Sequence, residues 1–210
     1  MKKIILSLMM TFVMLSVYAQ EEKEKGFKKE NLFTGGSVTV SFFNGATILG
    51  ANPIFGYKLA NFADAGVVIN FTYSGQRDIF EFDDKLKQNV YGGGLFTRLY
   101  PVNFLFLQGQ FEHNFISLKY TPATNNYQPY KETVDANSFL VGGGYCQGRQ
   151  PGSNTFYYVS VLFDVTKNEN SPYVDVVYDN ATGRKSVRAV PLIRAGINIG
   201  LFQGRHRRYE

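Results

Sequence analysis

Five charged side chains sit on the polar side of otherwise apolar, alternating runs: Lys58, Arg98, Glu112, Asp164 and Arg194. Charges folded inside a protein must be paired or hydrated, because an unpartnered buried ion is very costly. Glu112 and Arg194 fall near the middle of their runs. Asp164 and Arg194 fall on neighbouring runs, and hairpin counting sets them close together. The expectation is a Glu112/Asp164/Arg194 cluster, with Lys58 and Arg98 as further inward cations. Its chemistry would be ion pairing, either as a structural plug or as a gate that opens when the pairing swaps.

Other reactive side chains are few. Asp78, Glu81, Asp83 and Asp84 make one segment acidic. Carboxylate oxygens suit a hard ion such as calcium, but the spacing matches no EF-hand loop, so a solvated loop is expected. Phe80 and Phe82 in the same segment, with Tyr127, Tyr130 and Tyr173 elsewhere, are candidates for contact with a partner. His113 and His206 are the two histidines. Ser117 lies on the same run as His113, and no serine-histidine-acid pattern surrounds them. No enzyme activity is expected. The triads Gly92-Gly93-Gly94 and Gly142-Gly143-Gly144 lie inside runs, without the helix and lysine that a phosphate loop needs. They are expected to relieve crowding and let an aromatic ring lie across the backbone. A single cysteine, Cys146, excludes an internal disulfide, a four-cysteine zinc site and a CxxC pair. No metal or cofactor is expected.

The elements that must position these groups are strands. Period-2 alternation recurs throughout, as in Ser37 to Phe42, Val67 to Ser74, Leu105 to Glu112 and Tyr157 to Val165. Eight strands are predicted, at about 32–43, 49–60, 65–75, 86–99, 104–119, 136–147, 155–167 and 186–202. Most are longer than the five or six residues usual in a soluble domain. The connections after the second, fourth and sixth strands are short. Those after the third, fifth and seventh are long and polar, at 76–85, 120–135 and 167–185. Residues 174–183 are read as a hairpin extending the seventh and eighth strands. Tight turns at one end and long loops at the other are the layout of an outer-membrane barrel. The predicted fold is all-β, an eight-stranded antiparallel up-and-down transmembrane β-barrel. Closure removes the exposed edges that such long strands would otherwise present. The apolar face would then meet lipid, and the face with Ser37, Thr39, Asn70, Gln108, Gln110, Ser160 and Asn198 would fill the interior. A soluble lipocalin-like barrel inverts this facing and would bind an apolar ligand. Alternation alone does not separate the two; loop asymmetry and strand length favour the membrane.

The stretch Asn52-Pro53-Ile54-Phe55-Gly56-Tyr57-Lys58-Leu59, its tight turn and Gly66 to Ser74 resemble a hairpin of small outer-membrane β-barrel domains, the OmpA-like and Bacteroidetes-type families. Arg194-x-Gly196-x-x-Ile199-x-Leu201-Phe202 resembles the terminal signal that directs insertion of such barrels, departing from it by the eight residues that follow the Phe. The resemblance covers roughly residues 32–202. It implies a structural anchor, an adhesin or a weak pore.

Composition agrees with an exported barrel. The 210 residues include 19 Phe and 14 Tyr but no Trp, and 19% are charged. Such a chain is neither disordered nor a coiled coil. Lys2 and Lys3, an apolar stretch from Ile4 to Val17 and Val17-Tyr18-Ala19 read as a secretory signal peptide over 1–19. Its loss would take the formal charge from +5 to +3. That balance gives no case for nucleic acid. Residues 20–31 read as a flexible lead-in, 32–202 as the barrel, and 203–210 as a basic tail carrying Arg205, His206, Arg207 and Arg208. The expected location is the outer membrane of a Gram-negative bacterium. The expected partners are membrane lipid and an extracellular ligand or protein held by the loops. The expected role is structural or in surface interaction; a narrow pore is the second reading.

Overall fold

A computed structural model describes residues 26–43, 46–150, 153–179 and 184–203. The leader predicted at 1–19, the Asn44-Gly45 connection and residues 204–210 of the predicted basic tail lie outside the described residues. Among the described residues ten strands follow a 3-10 turn at Lys29–Asn31: β1 (Leu32–Phe43), β2 (Ala46–Ala60), β3 (Ala63–Arg77), β4 (Lys85–Val102), β5 (Leu105–Thr121), β6 (Tyr130–Gln147), β7 (Phe156–Asp164), β8 (Val174–Asp179), β9 (Arg184–Ala189) and β10 (Leu192–Gly200). β1 to β7 and β10 form one closed antiparallel barrel. It shuts where β1 pairs with β10, from Phe33 opposite Gly200 to Val40 opposite Ile193.

The alternation read in the sequence sets the two faces. Along β7 every second residue is buried, from Phe156 to Asp164, while Tyr157, Val159, Val161 and Phe163 are exposed. The outer wall is apolar on every barrel strand: Val38, Leu49, Phe55, Val67, Ile69, Phe71, Leu95, Leu107, Phe111, Phe139, Val141, Val159, Val161 and Ile193 all face out. The interior carries Thr39, Asn52, Asn70, Arg98, Gln108, Gln110, Glu112, Asn114, Ser138, Ser160, Arg194 and Asn198, all buried. This facing is the reverse of a lipocalin-like barrel.

Interior aromatics need room against the wall, and glycine provides it. A Cβ on Gly144 would fall 2.5 Å from Cζ of Phe106, whose ring lies across that backbone. Gly94 meets the neighbouring strand itself: a Cβ there would fall 1.8 Å from the Phe111 carbonyl oxygen.

Two predicted elements differ from the structure. The eighth strand, expected over 186–202, is divided into β9 and β10, with Val190 and Pro191 between them. Proline has no N–H for the ladder, so the break falls there. The hairpin expected to extend the seventh and eighth strands is a separate two-stranded sheet, β8 with β9, from Val174 opposite Ala189 to Asp179 opposite Arg184. Residues 165–173 separate it from β7. The wall is therefore uneven. β4, β5 and β6 run 18, 17 and 18 residues, whereas β7 and β10 run 9 each.

Candidate functional site

The interior is built in layers. Nearest the turn end, Tyr100, Phe106, Cys146, Phe156 and Tyr158 form an aromatic cluster, with Phe33, Ile54, Val68 and Phe96 beside it. Arg98 lies among these rings. Its guanidinium carbon is 4.2 Å from the Tyr158 centroid and 5.1 Å from those of Phe96 and Phe106. Arg98 also donates to Gln108 Oε1 (2.8 Å) and Asn198 Oδ1 (3.1 Å). Ring faces and amide oxygens thus supply the negative partners that a buried guanidinium needs.

The next layer is centred on Glu112. Its Oε1 lies 3.2 Å from Arg194 Nη2, and both side chains are buried. The pair joins β5 to β10 across the lumen. Gln110 donates to the same carboxylate, Asn114 donates at 3.1 Å and the Tyr173 hydroxyl donates at 2.7 Å. Gln108 donates to Gln110 (2.7 Å), and Asn70 on β3 donates to Asn114. One carboxylate therefore gathers β3, β5, β10 and the segment before β8.

The predicted cluster is brought together in part. Glu112 and Arg194 meet, but Asp164 does not join them. Asp164 Oδ2 accepts from the Ser171 hydroxyl (2.5 Å), and its Oδ1 accepts from the Thr166 hydroxyl (2.5 Å) and the Thr166 N–H (2.9 Å). It anchors the segment that leaves β7. Arg194 is opposite Ser160 in the ladder, so Asp164 lies four residues further toward the loop end. Hairpin counting misplaces it because the connection 165–191 fixes no register. Lys58 is half-buried opposite Asp64 at the turn end and takes no part in the pairing. Arg98 holds its own aromatic layer below the pair.

Arg149, not singled out in the sequence, and Tyr173, singled out for another role, close the ends. Arg149, in the turn after β6, lies over the Tyr100 ring at 3.6 Å, and its Nη2 is 3.8 Å from Asp64 Oδ1. It also donates to the Asn61 carbonyl (2.9 Å). Tyr173, expected as an exposed loop contact, is instead fully buried with Leu140, Leu162 and Leu192. The correction has a simple cause: its ring fills the lumen above Glu112 where β7 and β10 are short. A cavity of about 10 Å³ remains, with Ser37, Asn52, Arg98, Ser160 and Arg194 among its lining residues. That is room for about one water molecule.

The loop end carries a second constellation. Asp84 is buried and accepts from the N–H groups of Ile79 (2.7 Å), Phe80 (2.8 Å) and Glu81 (3.1 Å), and from the Tyr120 hydroxyl (3.0 Å). Burial disfavours its charge, but these donors outweigh burial and hold its pKa below the ordinary carboxylate range. Glu81 accepts from the Thr124 hydroxyl (2.6 Å) and from the N–H groups of Thr124 and Ala123 (2.9 Å each), which ties the loop after β3 to the loop after β5. The Thr124 contacts lower the Glu81 pKa. These carboxylates spend their oxygens on loop N–H and hydroxyl groups. Phe80 is edge-on to Tyr120 at 5.4 Å and stacked on Tyr127 at 5.8 Å, and Tyr120 stacks on Tyr130 at 5.4 Å. Phe80, Tyr127 and Tyr130 thus brace two loops while staying partly exposed. Phe82 is 88% exposed. His113 faces outward, half-buried, with Nδ1 2.8 Å from Asn137 Oδ1.

No protein-family model and no curated relative matches the sequence. Solved structures similar to the chain include Ail, the attachment invasion locus protein of Yersinia pestis, in complex with the heparin analogue sucrose octasulfate. That match has 13% identity, covers 80% of this chain and 95% of the other, and has a TM-score of 0.41. Ail in a phospholipid bilayer nanodisc matches at 14% identity, with 80% and 98% covered and a TM-score of 0.39. The translocator domain of the autotransporter NalP from Neisseria meningitidis matches at 10% identity, with 94% and 97% covered and a TM-score of 0.38.

Proposed function

We propose that this chain is an outer-membrane barrel of a Gram-negative bacterium, exported by the leader at 1–19, whose loop end contacts an extracellular ligand or protein. The carrying observation is the facing. Apolar side chains line the outside of a closed sheet, and polar and charged groups are buried within it. In water such a wall would be an aggregation surface; in a bilayer it is the favourable arrangement. On β5 the outer positions from Leu105 to Phe115, apolar but for Gly109 and His113, span a height of about 25–30 Å for a tilted strand, which matches the hydrocarbon core.

The lumen favours a structural role over conduction. Arg149 with Tyr100, Arg98 with its rings, and Tyr173 with Glu112 and Arg194 occupy successive levels, leaving a cavity of about one water. We read the chain as non-enzymatic, because His113 faces outward beside Asn137 and Phe115 rather than beside a nucleophile. The surface for interaction is the pair of braced loops around Phe80, Phe82, Tyr127 and Tyr130. Depth quenching tests the reading. On a Cys146→Ser background, single cysteines replacing Val161 or Phe82 carry a fluorophore in bilayers containing brominated lipid. Quenching at 161 and not at 82 is expected. Equal accessibility of both to a water-soluble quencher would overturn it.

A further inference from the structure

Three lysines stand side by side on the tall side of the wall. In the ladder Lys87 on β4 is opposite Lys119 on β5, and Lys119 is opposite Lys131 on β6. All three are exposed and share the outward face with the apolar belt. Directly opposed like charges destabilise a sheet. Spaced by about 5 Å per strand, the row concentrates three ammonium groups within about 10 Å. Among the described residues, no carboxylate forms an ion pair with any of them. The acidic residues nearby are otherwise placed. Asp83 pairs with Lys85 at 3.9 Å. Glu132 is opposite Leu118, on the alternate face. Asp135 shares the lysines' face two rungs lower, opposite Phe115.

Height says what the row meets. Phe71, Tyr91 and Phe115 form an aromatic rung that ends on Asp135, followed by a mostly polar rung of Tyr73, Asn89, Ser117 and Thr133. The lysine rung comes next, about 10 Å above the aromatic one. Polar headgroups occupy that level of a bilayer, and lysine stems reach along a wall to place their charge there. The row points sideways toward neighbouring lipid, not upward from the loop tips. We propose that Lys87, Lys119 and Lys131 form a binding site for the phosphate groups of an anionic glycolipid in the outer leaflet. The anion would relieve the repulsion built into the row and give the barrel a preferred lipid on its β4–β6 side.

This rests on the membrane reading above, and the test separates the two. Full mature barrel is prepared in zwitterionic detergent, and each variant is first checked for a heat-sensitive folded band. Binding is then measured with lipid A, with enzymatically dephosphorylated lipid A, and with heparin as a soluble polyanion. The triple variant K87Q/K119Q/K131Q should bind lipid A about 100-fold more weakly than the native chain, at about fivefold per lysine near an anionic surface. K87R/K119R/K131R should retain binding, and Lys29→Gln with Lys167→Gln should leave it unchanged. Without lipid, Lys119→Gln should melt at or above the native temperature, because it removes a repulsive neighbour from both sides. Equal lipid A binding by the native and triple-Gln barrels, both folded, overturns the proposal. So does equal binding of dephosphorylated lipid A, or lysine-dependent binding of heparin alone. Absence of any folded, detergent-held barrel would instead strike the membrane reading itself.

Discussion

Glu112 holds more of the interior together than any other single carboxylate described. Arg194, Gln110, Asn114 and Tyr173 all donate to it. Removing one member of a buried pair leaves an uncompensated charge, which costs about 3–5 kcal/mol. Arg194→Ala should therefore lower the unfolding free energy by about 3 kcal/mol, read from denaturant or thermal unfolding in detergent. An unchanged transition would remove the pair's structural role. Tyr173→Phe deletes one donor and should cost about 1 kcal/mol, again by unfolding. Asp84 behaves differently, because its effect depends on pH. Its pKa is lowered on folding from the ordinary 3.8. Its contribution is thus complete above the unfolded value and fades as pH falls through the folded one. Hydrogen-exchange protection at Ile79, Phe80 and Glu81 should hold at pH 7 and decline below about pH 4, with rates corrected for intrinsic exchange. Asp84→Asn should show the loss at pH 7. Equal protection at pH 7 and pH 3 would contradict the clamp.

At the scale of elements, glycine placement sets where strands and rings can approach. Gly144→Ala would drive a methyl group against both the Val159 carbonyl oxygen and the Phe106 ring and disturb the aromatic layer around Arg98. Overpacking of this kind costs about 1–3 kcal/mol, and Phe106→Leu in the same chain should recover part of it by making room. A thermal melt of the single and double variants checks both statements. The strands were legible because alternation repeats the same message along each of them: Val159 and Val161 out, Ser160 and Leu162 in. The Glu112–Arg194 pair was legible for the same reason, since facing and mid-strand position follow from local pattern. Asp164, Tyr173 and Arg149 were not. Each depends on where a connection folds back, and connections carry no period. Tyr173 in particular reads as a loop tyrosine until the shortness of β7 and β10 leaves a space that its ring fills. The lysine row shows a third limit. Lys87, Lys119 and Lys131 are unremarkable in sequence and become neighbours only through the register of three strands.

For the whole molecule, the facing of the wall and the filling of the lumen make one arrangement. An apolar exterior needs lipid, and a polar interior needs partners for every group. Paired charges, an amide ladder and inserted rings supply most of them at successive levels, while atoms such as Ser160 Oγ and Arg194 Nε have no hydrogen-bond partner among the described residues. Planar-bilayer recordings should accordingly show little or no conductance for the native barrel, while Arg149→Ala with Tyr173→Ala removes the two end closures and should raise it. A steady open conductance of the native chain would contradict the closed lumen. The central claim is that this closed barrel lives in a membrane with its apolar wall outward. The most direct measurement is the gel mobility of the unboiled and boiled protein, recovered from the outer-membrane fraction after expression of the full 210-residue chain. The account predicts a compact, faster-moving unboiled band that shifts on boiling. Recovery in the soluble periplasmic extract with no shift would contradict it.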